Sequence, residues 1–178
     1  GDSFWINAII LPLHDKENKK SGYLSIKQDI SETKRIQDIA NHDHLTNLLN
    51  RHTFEASFAQ EVKRAARDKK ILSFIMIDID HFKKYNDYYG HPNGDLAIQK
   101  IATALQEHFL RPHDFIFRLG GEEFGVITSG VSQKDIKAFL KSFIAKIEAL
   151  EIEHLSNLPY NVLTISVGVD QIQDGETK

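Results

Sequence analysis

The stretch that most constrains this chain is Ile71-Leu72-Ser73-Phe74-Ile75-Met76-Ile77, an almost unbroken apolar run followed at once by Asp78-Ile79-Asp80-His81-Phe82-Lys83. It is too short for a core helix and β-branched enough for a strand buried on both faces. It therefore reads as the central strand of a sheet whose C-terminal end delivers carboxylates. Two further short runs, Phe115 to Leu119 and Phe124 to Thr128, flank Gly120-Gly121-Glu122-Glu123 and read as a hairpin, because glycine accepts the positive φ of a tight turn. If the strand from Ile71 and the strand from Phe115 are neighbours, the hairpin tip sets Glu122 and Glu123 beside Asp78. Carboxylates held close together at strand ends are the donors that a hard divalent metal uses, with positions left for water and substrate phosphates. Taken singly, Glu122-Glu123 read as solvated turn residues, and Asp78 and Asp80 as the polar end of a strand.

The pattern from Phe54 onward is helix, strand, helix, hairpin, helix, strand. Phe54, Phe58, Val62 and Ala65 recur at helical spacing, with Lys63, Arg64 and Arg67 on the outer face. Phe82 to Pro92 reads as a polar, aromatic loop. Gly94-Asp95 reads as the start of a helix with Ile98, Ile101, Leu105 and Phe109 inward, and Arg111-Pro112-His113-Asp114 as its stop. Gln133 to Leu150 carries Ile136, Leu140, Phe143, Ile147 and Leu150 on one helical face; a loop-like stretch runs through Pro159, Val162 to Val169 is the last strand, and Asp170 to Lys178 is a polar tail. Crossovers combined with one antiparallel hairpin describe an α/β (α+β sandwich) fold, a central mixed sheet flanked by helices. Ahead of it, Phe4 to Leu13 alternates as a strand ended by Pro12, and Gly22 to Ile26 completes a hairpin. Ser31 reads as a helix N-cap with Glu32 in the first turn, and Lys34 to His42 as a short helix too brief to stand alone.

The 178 residues carry 22 basic and 25 acidic side chains, a net charge of −3. No bulk positive charge argues for gripping a nucleic-acid polymer, although a few lysines and a metal suffice for one nucleoside triphosphate. Absence of cysteine excludes a thiolate metal site and fits a reducing, cytoplasmic setting. No run approaches a membrane span, so no membrane contact is expected from this segment. Gly1-Asp2-Ser3, directly before a full strand pattern, reads as the cut end of a longer protein.

Three separated blocks agree in order and spacing with one family. They are Asp43 with Leu45-Thr46, Leu48 and Asn50-Arg51; Asp78 to Lys83 with Asn86-Asp87, Gly90-His91 and Gly94-Asp95; and Arg118 to Phe124. Together they resemble GGDEF domains, the diguanylate cyclases, in the Gly-Gly-Glu-Glu-Phe form, with Leu49 and Pro92-Asn93 as small departures. The resemblance implies a nucleotidyl-cyclase-like, polymerase-palm-like sheet. It implies Asp78 and Glu122 as principal ligands of Mg2+ or Mn2+, two ions per active site, with the Ile79 carbonyl assisting and Glu123 near the second metal or the attacking hydroxyl. Lys83 and main-chain N–H groups around His81 and Phe82 would hold a triphosphate. Asn86 and Asp95 would read a guanine edge; without the family they read as a loop-capping Asn and a helix N-cap Asp. The implied reaction condenses two GTP into cyclic di-GMP and pyrophosphate in a homodimer, through the catalytic set Glu122, Glu123, Asp78 and Lys83. Arg111 and Asp114 match the family's product-inhibition site, where cyclic di-GMP binds.

Phe4-Trp5-Ile6-Asn7, Leu11-Pro12-Leu13 and Gly22-Tyr23 through Asp29-Ile30-Ser31 resemble the closing strands of a PAS sensor domain. The implied organisation is a PAS-like remnant over 1–31, a signalling linker helix over 32–42 and a GGDEF domain over 43–178, without the helix and strand that follow Val169 in the family. That shortfall implies a weakly active or inactive fragment. The other reading is a catalytically silent module that binds GTP or cyclic di-GMP to regulate a partner domain.

Overall fold

The computed structural model describes residues 4–172, which fall into two units divided between Asn41 and His42. In the first unit, β1 (Ile6–His14) and β2 (Lys20–Asp29) form an antiparallel ribbon with Ile9 opposite Ile26, followed by α1 (Ser31–Asn41). Pro12 lies inside β1, opposite Tyr23, and does not end it. A strand paired along one edge tolerates a residue that lacks an N–H. Ser31 is the first helical residue and not a cap. Its hydroxyl accepts from the Trp5 N–H at 2.8 Å, while Asp29 Oδ1 accepts from the Ser31 N–H at 2.8 Å.

The second unit is built on β3 (Leu49–Asn50), β4 (Leu72–Ile79), β5 (Phe115–Gly120), β6 (Glu123–Ser129) and β7 (Ile165–Ile172). The sheet order is β3-β5-β6-β4-β7, with β3 parallel to β5 and the other pairs antiparallel. One face packs against α4 (His91–His108) and α5 (Gln133–Glu148): Ile75, Ile77 and Ile79 of β4 join Ile101, Leu105, Phe143 and Ile147, none more than 1% exposed. The other face receives α2 (Arg51–Asp68), whose Phe54 meets Phe117 edge-on at 5.4 Å in a smaller core with Leu72, Leu119 and Ile127. The alternation of β4 thus serves both layers.

Several expectations change. The neighbours of β4 are β6 and β7, not β5, so β6 lies at the middle of the sheet. Met76 is 41% exposed, because its partners on either side are Gly125 and Gly168, which have no side chains to cover it. Phe82 to Pro92 is not a loop: α3 (Phe82–Tyr89) forms there, with Phe82 and Tyr85 buried on one face. Gly90, at φ +83°, separates it from α4, which begins at His91 with Pro92 in its first turn, so Gly94 and Asp95 lie inside that helix. The last strand is shifted to Ile165–Ile172, and Val162 instead forms an isolated bridge with Glu153. Leu150 is 36% exposed, beyond the end of α5. The short strand β3 was not expected. Of the polar tail, Asp170 to Ile172 belong to β7; residues 173–178, like residues 1–3, lie outside the described residues. Among the described residues, no helix is long and apolar enough to cross a membrane.

Candidate active site

The register of β4 against β6 sets Asp78 directly opposite Glu123. Directly opposed residues of an antiparallel pair project from one face with their Cβ atoms about 5 Å apart. The two carboxylates therefore share one end of the sheet. Burial pushes the Asp78 carboxyl above its usual range, and the charges of Glu122, Glu123 and, more weakly, Asp80 push it the same way. Like charges crowded at the rim of a sheet make a site that a cation would relieve. Three carboxylates and a main-chain carbonyl are the oxygen donors that a hard divalent metal takes. Among the described residues, no three Asp, Glu or His side chains converge into a ready-made metal cage.

The hairpin tip is held by a side chain whose role the sequence left open. Arg118 donates from Nε and Nη2 to the Gly121 carbonyl at 3.1 and 2.9 Å, closing the turn where Gly121 takes φ +51°. From Nη1 the same guanidinium donates to Asp43 Oδ1 at 3.0 Å, and both side chains are largely buried. Asp43 Oδ1 also accepts from the Thr46 N–H at 3.0 Å and the Thr46 hydroxyl at 2.8 Å. Burial alone would raise the Asp43 pKa, but the bonds from Thr46 and Arg118 together outweigh it and hold the group below the usual carboxylate value. Asn50 completes the frame: it pairs with Arg118 across β3 and β5, and its Oδ1 caps α2 by accepting from the Thr53 N–H at 3.0 Å. The opening block and the signature block are thus one hydrogen-bonded unit that aims Glu122 and Glu123.

Beyond Asp78 the chain turns at His81, at φ +56° and ψ +29°, and enters α3 without a side-chain cap. The N–H groups of a first helical turn have no partner within their own helix. Here they lie beside the exposed Lys83, so a positive charge and free donors are gathered a few residues from the carboxylates. His81 is exposed and Phe82 is buried.

Asn86, near the end of α3, has a buried Oδ1 without a hydrogen-bond partner. It points at Gly94 in the first part of α4, where an added Cβ would collide with that oxygen. The exposed Asp95 follows directly. The turn at Gly90, whose N–H donates to the Asn86 carbonyl at 2.9 Å, therefore brings the Asn86 amide to the segment that carries Asp95. An unsatisfied buried amide oxygen is costly unless a ligand or water meets it.

Arg111 and Asp114 form a tight turn before β5. The Arg111 N–H donates to Asp114 Oδ2 at 3.0 Å, and the Thr128 hydroxyl donates to Oδ1 at 2.5 Å. With Val131, Ile136 and Phe139 these residues line a small pocket beside the exposed Arg111. Thr128 lies on β6, so this turn is tied to the strand that leads back to Glu123.

Sequence reasoning assigned nothing to Thr164, Ser166, Asn157 or His154. Yet Asp80 Oδ2 accepts from the Thr164 hydroxyl and Oδ1 from the Ser166 hydroxyl, both at 2.6 Å. The only local signal was two hydroxyl residues at the start of a strand, which carries no partner information.

Residues 40–178 match the model of the family described as diguanylate cyclase, GGDEF domain. The chain is 34% identical over 167 residues to the probable diguanylate cyclase DgcC of Escherichia coli K12, a match covering 93% of this chain and 44% of that protein. It is also 34% identical over 138 residues to the probable diguanylate cyclase DgcT of the same organism, covering 78% of this chain and 30% of the relative. The chain thus spans less than half the length of these relatives. Among solved structures, it is similar to the coiled coil and GGDEF domain of DgcB from Caulobacter crescentus in complex with c-di-GMP, with a TM-score of 0.73 at 26% identity over 82% of this chain and 76% of that one.

Proposed function

The chain belongs to the GGDEF-domain family of diguanylate cyclases, and on that premise we propose that it joins two GTP molecules into cyclic di-GMP. In each half-reaction the 3′-oxygen of one GTP forms a bond to the α-phosphorus of the other, and the α–β phosphoanhydride bond breaks to release pyrophosphate. Each subunit of a homodimer presents one GTP, so turnover depends on two domains meeting face to face. Residues 1–31, read as a PAS-like remnant, and the helix over 32–42 would influence that meeting.

The observation that carries this reading is the pairing of Asp78 with Glu123 at the sheet end, with Glu122 near enough to raise the proton affinity of Asp78. Asp78, Glu122, Glu123 and the Ile79 carbonyl are the groups that would hold Mg2+ or Mn2+, two ions per site in the family's manner. The metal, when bound, supplies charge neutralisation at the phosphoryl oxygens. Lys83 and the first-turn N–H groups of α3 bind the triphosphate, and Asn86 with Asp95 orients guanine. Arg111 and Asp114 hold cyclic di-GMP as an inhibitor, the arginine meeting phosphate or guanine and the carboxylate accepting from the base.

The test is incubation with GTP and magnesium, followed by chromatography for cyclic di-GMP. Glu122→Gln removes a charge at constant shape and is expected to abolish product while leaving the circular dichroism spectrum unchanged. Undiminished turnover in that variant would refute the metal assignment. Nucleotide binding without product, from this chain and from the full-length protein alike, would instead select the silent-module reading.

A further inference from the structure

We propose that Asp80 is a positioning residue for the phosphate-binding turn, acting through a brace formed by residues 152–166. This rests on the reading of α3 as the triphosphate site and adds to it residues that neither the motifs nor the comparisons assign. In the sequence, Asp78 and Asp80 read as the polar end of a strand, and the family resemblance assigns only Asp78 of the two to the metal. The structure gives Asp80 partners of its own: its carboxylate takes a hydroxyl on each oxygen, from Thr164 and Ser166 at 2.6 Å.

The hydroxyl of Thr164 has one proton, and the bonding around it sets its direction. Asn157, 3% exposed, donates from Nδ2 to Thr164 Oγ1 at 3.0 Å and to the Val162 carbonyl at 2.8 Å. Thr164 Oγ1 therefore accepts from Asn157 and donates its own hydroxyl proton to Asp80 Oδ2, a chain that runs one way and ends on that acceptor. The main chain repeats the tie, as the Asp80 N–H donates to the Thr164 carbonyl at 3.0 Å, one step beyond the last paired residues Ile79 and Ile165.

The next residue, His81, adopts the left-handed conformation. For a residue with a Cβ that conformation persists only where its surroundings over-determine it. Asp80 fixes the chain on one side of His81, and buried Phe82 fixes it on the other. The fully buried ring of His154 stands edge-on to Tyr85 of α3 at 5.2 Å. Tyr89 closes the same assembly: its hydroxyl donates to Glu153 at 3.0 Å and accepts from the Leu155 N–H at 3.2 Å. The direction of the first-turn N–H groups of α3 is thus set by a segment far later in the chain.

The experiment compares binding of GTP with magnesium and of guanosine to the whole chain and to Thr164→Val, Thr164→Ser and Asp80→Asn. Valine keeps the shape of threonine and removes the hydroxyl. Thr164→Val is expected to weaken GTP binding about tenfold, the equivalent of one misaligned phosphate contact, while guanosine binding stays unchanged. Thr164→Ser is expected to restore GTP binding. Asp80→Asn, which keeps one acceptor, is expected to fall between them. Equal loss of GTP and guanosine affinity, or no loss of either, would overturn the proposal. Amide hydrogen exchange in the nucleotide-free chain judges the brace apart from the phosphate reading. Faster exchange in Thr164→Val at Asp80 and Tyr85, whose N–H groups donate to the Thr164 and His81 carbonyls at 3.0 and 3.1 Å, supports the brace, and unchanged exchange overturns it. A wild-type chain that binds GTP no better than guanosine would instead count against α3 as the phosphate site.

Discussion

Replacing Asp43 with asparagine tests whether the opening block and the signature hairpin are one mechanical unit. Asp43 Oδ1 accepts from the Thr46 N–H, the Thr46 hydroxyl and Arg118 Nη1, and the Asp43 and Arg118 side chains are 16% and 12% exposed. Removing one member of a buried ion pair costs roughly 3–5 kcal/mol. The cost here is smaller, because asparagine keeps an oxygen for Thr46 and Arg118 keeps its bonds to the Gly121 carbonyl. About 2 kcal/mol is expected at neutral pH, a value in the range of a single charge-assisted hydrogen bond. In a chain of this size it corresponds to a melting point lower by about 4–8 °C.

The sign of the pH dependence follows from the depressed pKa of Asp43. A carboxyl whose folded pKa lies below its unfolded value of about 3.9 contributes stability that is present above that value and is lost as pH falls through the folded pKa. The wild-type advantage over Asp43→Asn should therefore be full at pH 7 and shrink steeply toward pH 3. Urea denaturation followed by circular dichroism at both pH values measures it. A deficit that is the same at pH 3 and pH 7, or that stays below about 0.5 kcal/mol at pH 7, would refute the argument that this ion pair secures the hairpin.

Gly94→Ala places a methyl group against Asn86 Oδ1 and should weaken guanine-nucleotide binding at least tenfold with a smaller effect on the melting temperature; calorimetric titration with GTP checks this. Arg111→Ala should lose affinity for cyclic di-GMP and release turnover from product inhibition without altering the initial rate; equal affinity in wild type and variant would refute the inhibitory assignment. Because burial and, after it, like charge raise the Asp78 pKa, Asp78→Asn should raise the melting temperature slightly in chelator at neutral pH. That gain should fade as the wild-type carboxyl protonates at lower pH, and magnesium should stabilise wild type but not the variant. Thermal denaturation with and without the metal separates these outcomes.

The readable parts of this protein were those whose cause is local. Gly120-Gly121 between two apolar runs announced the hairpin because the turn geometry needs positive φ, and the structure has it there. Ile98, Ile101, Leu105 and Phe109 were legible as an inner stripe because helical spacing alone puts them on one face, and all are buried. Segment 82–92 was misread because its polar residues outnumber its apolar ones. Its helicity depends on Phe82 and Tyr85 finding a core, a tertiary condition.

Sequence by itself determined the residue types, their periodicity and the three blocks, and so the family, the mixed sheet and the candidate acids. Only the tertiary structure decided who faces whom. It made β6 the partner of β4, joined Asp43 to Arg118 across 75 residues, and joined Asp80 to Thr164 across 84. The reason is that covalent order sets local dihedrals and patterns. Partners between distant segments are chosen by which arrangement buries the apolar faces and satisfies every polar group taken in with them.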